Sequence, residues 1–220
     1  MRGLGPLLFE DALPKPLFRR LSQEVKALGR ERLRTTYQTT FWFDLESEPT
    51  CFPEAAALHL RAHLPTSPRR RTVGVEWWLS RMWTGDVRVD FHQDRDERRF
   101  LRTGVLVHPR WSSVLFLNRV KGGLLAVTDA LPNEDNDSCA PDAVDFDLVA
   151  PKPNRFTVFD GKLTHGVLDE DNQIPVHPKP GQGALRLAVI FNWWHQRPED
   201  TPRWADTRIY RTLALGGARG

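Results

Sequence analysis

The segment Val87-Arg88-Val89-Asp90-Phe91-His92-Gln93-Asp94-Arg95-Asp96 holds the residue types from which a metal site is built. At a period of two, Val87, Val89 and Phe91 fall on one side, and Asp90, His92, Asp94 and Asp96 on the other. As a strand the segment aims His92 and Asp94 at one point, because alternate side chains share a face. An imidazole and a carboxylate converging there supply two ligands. A second histidine would complete a two-histidine, one-carboxylate set, whose open positions on iron(II) admit oxygen and a co-substrate. A His-x-acid pair arises readily by chance in a chain with 7 His and 28 acidic residues, so the surroundings must carry the argument.

The other histidines differ in context. His59 and His63 stand at helical spacing and read as helix-surface residues; His108 precedes Pro109 in a loop; His177 lies in a polar insertion; His195 follows the final strand. His165 comes after the short apolar strand Arg155–Phe159 and the tight turn Asp160-Gly161-Lys162, with chain enough before it for several strands to close a barrel. Taken alone, a histidine there reads more readily as a core residue than as a ligand. The final strand supplies a third element. Leu185, Leu187, Val189, Phe191 and Trp193 form an apolar face, and Arg186, Ala188, Ile190 and Asn192 form the other. Arg186, the one charge in that strand, points away from the face that packs on helices. A buried guanidinium is costly unless it meets an anion, and its planar fork suits a carboxylate in two-point contact. Considered by itself, Arg186 reads slightly more readily as half of a structural ion pair; beside a candidate metal site the balance reverses, because a dicarboxylate co-substrate would need such an anchor.

Around these residues the chain reads as one domain over 1–220: a helical N-terminal portion at 1–71, a β core at 72–195 and a C-terminal extension at 196–220. Leu17, Phe18, Leu21, Val25 and Leu28 predict an amphipathic helix over 16–33. A second helix over 53–64 opens on Pro53 and stops at Pro65. Ser67–Arg71 is expected to be a solvated basic connector. Strands are predicted at 72–83, 87–94, 112–117, 124–128, 155–159, 163–168 and 185–194, with a hairpin connection at Asn118–Gly123. The acidic stretch 130–147 and the polar, Pro/Gly-rich stretch 169–183 are long insertions, either substrate lids or neutral additions. Many strands after N-terminal helices predict a mainly β, α+β protein: a double-sheet jelly roll with helices backing one sheet.

Composition narrows the function classes. With 40% hydrophobic and 27% charged residues, 220 residues are enough to bury a real core. A net charge of +3 without a basic stripe gives no indication of nucleic-acid binding. No run reaches the length of a membrane span, and the apolar patch near Met1 is broken by Gly and Pro, unlike a signal peptide. Cys51 and Cys139 lie far apart in dissimilar surroundings, which fits a reducing, cytoplasmic setting.

Four motifs in order resemble the iron(II)/2-oxoglutarate-dependent dioxygenases, particularly the prolyl-hydroxylase-like branch. Trp83-Thr84-Gly85-Asp86 leading into His92-Gln93-Asp94 resembles that branch's turn and His-x-Asp strand. Ser112–Asn118 followed by Gly122-Gly123 resembles its next hairpin, and Pro151–Asp160 running to His165-Gly166-Val167 the strand and turn with the distal ligand. Leu185–Val189 resembles the strand carrying the co-substrate's basic anchor. The resemblance covers roughly residues 75–195. It implies a double-stranded β-helix, iron(II) held by His92, Asp94 and His165, 2-oxoglutarate anchored on Arg186, and O2 as oxidant. Trp83 stands where the branch often has a co-substrate-binding tyrosine, and an indole there can only donate. The implied reaction is oxidation of a C–H bond, by default hydroxylation, in a small molecule or peptide side chain, with release of succinate and CO2. Two other readings stay open: a metal-dependent jelly-roll enzyme that does not use 2-oxoglutarate, and a non-catalytic binding module. Oligomeric state and primary substrate leave no mark in the sequence.

Overall fold

The computed structural model describes residues 5–28, 39–66, 71–142, 144–207 and 209–215. Along the chain run β1 (Leu7–Phe9), α1 (Lys15–Ala27), β2 (Phe41–Asp44), α2 (Phe52–Leu60), β3 (Gly74–Trp83) and α3 (Glu97–Thr103). They are followed by β4 (Trp111–Phe116), β5 (Leu125–Thr128), β6 (Asp147–Val149), β7 (Phe156–Asp160), β8 (Thr164–Val167) and β9 (Leu185–Trp194). Two antiparallel sheets result. The larger has the order β1-β7-β4-β9-β3-β2 and the smaller β6-β5-β8.

The alternation in β9 decides the layering. Leu187, Val189, Phe191 and Trp193 join Trp77, Leu79 and Leu115 beneath Leu21 and Val25 of α1 and Ala56, Ala57 and Leu60 of α2. On the reverse face Ala188 meets Val114, Phe116 and Phe159, and these pack on Leu125, Val127 and Val149 of the small sheet. The helices therefore back the large sheet and leave its other face to form the interior between the sheets.

Several expectations are corrected. The segment 87–94 is not a regular strand; it touches β8 through one bridge, His92 with His165. Ladder pairing is interrupted because the His92 Nδ1 donates to the Asp90 carbonyl (2.8 Å) and the Phe91 amide donates to the Ser138 carbonyl (2.8 Å). The stretch 118–123 is not a hairpin: β4 pairs with β7 and β9, and β5 with β6 and β8, so the chain crosses between sheets there. The N-terminal portion is not purely helical, since β1 and β2 supply both edges of the large sheet. The first helix is described only to Ala27, and the remainder of its predicted span, from residue 29, lies outside the described residues. Residues 67–70 of the basic connector also lie outside them.

Both long insertions are fastened to the body. In 169–183, the Lys179 amide donates to the Gly85 carbonyl (2.6 Å) and the Gly85 amide to the Gln182 carbonyl (3.1 Å). In 130–147, the Asn136 side chain accepts from the amides of Ser138 (3.1 Å) and Ala140 (3.2 Å), and Ala140 packs beside Phe91. The C-terminal stretch adds Trp204, Tyr210 and Leu213 to the core beneath the helices. Among the described residues no helix is long and apolar enough to cross a membrane.

Candidate metal centre

His92, Asp94 and His165 come together, with one ligand atom from each lying within 4.8 Å of the others. His165 sits in β8, and the backbones of His92 and His165 exchange both hydrogen bonds (3.0 and 2.9 Å). This bridge fixes the two imidazoles side by side without a full strand. Gly166 permits the approach: a Cβ there would lie 2.8 Å from the Phe91 ring. The Nε2 atoms of His92 and His165 stand 3.6 and 3.4 Å from the two Asp94 carboxylate oxygens.

Each imidazole is oriented from behind. His92 Nδ1 meets the Asp90 carbonyl at 2.8 Å, and His165 Nδ1 the Leu163 carbonyl at 3.1 Å. A carbonyl only accepts, so both Nδ1 atoms donate, and in the neutral imidazoles this leaves both Nε2 atoms, on the side of Asp94, free for a metal. Burial pushes the His165 imidazole below its ordinary value, keeping it neutral. Burial acts on His92 in the same direction, but the Asp94 carboxylate and the Asp90 carbonyl outweigh it and raise that imidazole. Burial would push the Asp94 carboxyl up; His165, His92 and the Ser112 hydroxyl overcome it and hold the group well below the usual carboxylate range. A carboxylate between two imidazoles in this arrangement could hold a divalent cation.

Ser112 was not singled out by sequence reasoning. Its hydroxyl donates to Asp94 Oδ2 at 2.6 Å from inside β4. The available signal was the pair Ser112-Ser113 interrupting an apolar strand. Ser112→Ala should leave the fold intact and weaken metal affinity by roughly 10- to 100-fold, the usual effect of losing a partner of a ligating carboxylate. Titration of the variant with cobalt(II) or iron(II) measures this; unchanged affinity would show that Asp94 is positioned by other contacts.

In register beside Ser112 on the same sheet face lie Asn192 of β9 and Glu76 of β3. Burial pushes Glu76 up to about 7, with the charges of Asp94 and Asp96 adding and bonds from Thr40 and Trp194 opposing. The folded chain then keeps a proton that the unfolded chain, with an ordinary carboxylate, has already released. Stability contributed by this group is complete at acid pH and drains away as pH rises to about 7. Relative to Glu76→Gln, the wild-type melting temperature should decline between about pH 5 and pH 8. Parallel melting curves would show that Glu76 titrates normally.

A cavity of about 310 Å³ opens from His92, Asp94 and His165 into the space between the sheets, and Arg186 lines it. Arg186 is 1% exposed, its Nε donates to the Gly123 carbonyl (3.0 Å), and its guanidinium lies 5.0 Å from the Phe116 ring centroid. Gly123 is required here: its φ is +65°, and a Cβ would lie 2.9 Å from Thr84 Cγ2 and 3.1 Å from Arg186 Cδ. The cavity wall is otherwise largely apolar, with Val114, Leu125, Phe159 and Ile190. Trp83 does not line it; strand alternation gives that place to Met82, the register partner of Arg186. His59 is exposed, His63 stacks 4.6 Å from Phe9, His177 is exposed, and none of them approaches the ligand set. His108 does come near, with Nδ1 2.7 Å from the Asp94 carbonyl.

No family model matches the chain, and no curated protein matches it. Solved structures do. The chain is similar to a prolyl-4-hydroxylase of Pseudomonas putida at 18% identity and a TM-score of 0.52, covering 88% of this chain and 89% of that one. It is similar to AviO1 of Streptomyces viridochromogenes Tue57 at 18% identity and a TM-score of 0.50, covering 91% of this chain and 94% of that one. The arrangement of sheets and helices described above is therefore a prolyl-4-hydroxylase-like fold.

Proposed function

We propose that the chain is an iron(II)- and 2-oxoglutarate-dependent dioxygenase on a double-stranded β-helix scaffold, hydroxylating a C–H bond of a small molecule or peptide side chain. The observation that carries this reading is Arg186, a guanidinium buried at the wall of the same cavity that His92, Asp94 and His165 enter. A dicarboxylic keto acid has a feature for each end of that cavity: a chelating end for the metal and a distal carboxylate for the planar fork. The cavity volume, about 310 Å³, is of the size that encloses a small ligand. When bound, iron(II) and 2-oxoglutarate supply the activation of O2 that yields succinate, CO2 and an oxidised C–H bond.

The chain's own residues hold and shield. His92, Asp94 and His165 would hold the metal through two imidazole nitrogens and one carboxylate, a set of three that leaves coordination positions for co-substrate and oxygen. The Asp90 and Leu163 carbonyls keep the imidazoles from turning, and Ser112 keeps the carboxylate from rotating. Val114, Leu125, Phe159 and Ile190 line the cavity with apolar surface that would keep bulk water off a bound co-substrate. Free Cys51 and Cys139 fit a cytoplasmic setting. The test is succinate formation from 2-oxoglutarate under air, with and without iron(II). Iron-dependent succinate supports the reading. A stoichiometric metal site with no affinity for 2-oxoglutarate would replace it by a metal enzyme of another class, and no tight metal site by a binding module.

A further inference from the structure

A second cleft, of about 650 Å³, shares only His92 and Asp94 with the Arg186 cavity. It reaches the ligand set from outside the space between the sheets. One wall is the start of α3 with Leu106; the other is the acidic loop at Leu131–Cys139. Both walls are built. The Asp96 side chain caps α3 by accepting from the Arg99 amide, and Gly104 ends it in the left-handed conformation. The acidic loop is tied by the Phe91-to-Ser138 backbone bond to the segment that carries His92.

The charge of this cleft is one-sided. Its arginine, Arg95, is committed: it bonds both carboxylate oxygens of Glu97 (2.7 and 3.3 Å) and lies 4.0 Å from the Phe100 ring centroid. Asp90 and Glu134 also line the cleft and have no lysine or arginine partner among the described residues. Asp135 and Asp137, exposed on the same loop, extend the negative field beyond the mouth. An independent feature is apolar. Leu106 and Leu131, one on each wall, are 53% and 72% exposed, a large amount of leucine surface left to water beside a candidate reacting centre. Solvated carboxylates alone would need no occupant. Two carboxylates and two exposed leucines lining one cleft with His92 and Asp94 match an occupant that is positive at one point and apolar along its body.

We propose that this cleft takes the primary substrate and that the substrate is an organic cation, its ammonium or guanidinium group beside Asp90 and Glu134 and its apolar body between Leu106 and Leu131. This rests on reading His92, Asp94 and His165 as the reacting centre. The apolar contact supplies affinity, and the charges orient the cation and raise its rate of encounter.

The test uses two probes of equal bulk and opposite charge, 4-phenylbutylammonium and 4-phenylbutyrate. Their binding to the full chain is measured by ligand-observed NMR under argon, with and without iron(II) and 2-oxoglutarate. The ammonium should bind about tenfold more tightly than the carboxylate at low salt, as two exposed carboxylates that attract one probe and repel the other allow. That preference should shrink on addition of salt, which screens charges beyond roughly 8 Å at physiological strength. It should disappear in the double variant Asp90→Asn, Glu134→Gln, whose exposed positions leave the melting temperature unchanged. Equal binding of the two probes, tighter binding of the carboxylate, or a preference that survives in the double variant would overturn the proposal. So would the absence of binding of either probe up to roughly 20 mM. The readout needs no turnover. A charge preference in a chain that makes no succinate would sink the dioxygenase reading alone, and succinate formation without the preference would sink the cationic substrate alone.

Discussion

Asp94→Ala should remove tight iron(II) binding and reduce 2-oxoglutarate-dependent succinate formation to background. Asp94 is the only anion in the donor set, and without it the cation would meet two neutral imidazoles from neighbouring positions. Asp94→Asn tests charge against shape, because the amide keeps the volume and an oxygen for the Ser112 hydroxyl while losing the carboxylate; it should fail nearly as badly. The two histidines are not equivalent as test positions. His92 has a side chain 42% exposed, so His92→Ala should remove a ligand and little else. His165 is nearly buried, packs 5.1 Å from the Phe159 ring centroid and satisfies the Leu163 carbonyl. His165→Ala should therefore lower the melting temperature as well as activity. The Nδ1 bonds to backbone carbonyls do not depend on Asp94, so the Asp94 variants should retain the fold of the metal-free chain. Wild-type succinate formation by a folded Asp94→Ala protein would end the metal assignment.

What the sequence disclosed depends on how locally each feature is determined. β9 was legible from end to end because Leu185, Leu187, Val189, Phe191 and Trp193 keep one face apolar without a break, and that period of two also placed Arg186 on the face between the sheets. The convergence of His92 and Asp94 was legible too, although for a different reason from the one expected. The segment is held extended by a single bridge and by side-chain capture of its own backbone, so two-residue spacing still aims both side chains one way. Edge strands β1 and β2 were missed because three or four residues carry too little periodicity to stand out. α3 was missed because its seven residues are mostly charged and bury no face, although Asp96 and Gly104 mark both ends. The path of 118–123 was misread because the same glycine pair serves a hairpin or a crossing between sheets. Only the later strands β8 and β9, which claim the edges of β5 and β4, decide between them. Pairing at that distance has no local signature.

Arg186→Met should raise the concentration of 2-oxoglutarate needed for half-maximal turnover by about 30- to 1,000-fold, corresponding to roughly 2–4 kcal/mol for removing one partner of a buried charge pair. Arg186 is absent from the ligand set, so affinity for iron(II) should stay at the wild-type value. This separation makes the variant informative. Arg186 also has work within the fold, since its Nε satisfies the Gly123 carbonyl and its guanidinium covers the Phe116 ring. Methionine fills part of that volume but leaves the carbonyl without its donor, so some loss of melting temperature is expected under either role. Arg186→Lys resolves the ambiguity. Lysine keeps the positive charge but cannot reproduce the two-point fork, so a co-substrate anchor should show an intermediate rise in that concentration. A merely structural arginine gives another pattern: both variants melt early while their dependence on 2-oxoglutarate matches that of wild type. That result would leave the three ligands in place and remove the reason for placing a dicarboxylate beside them.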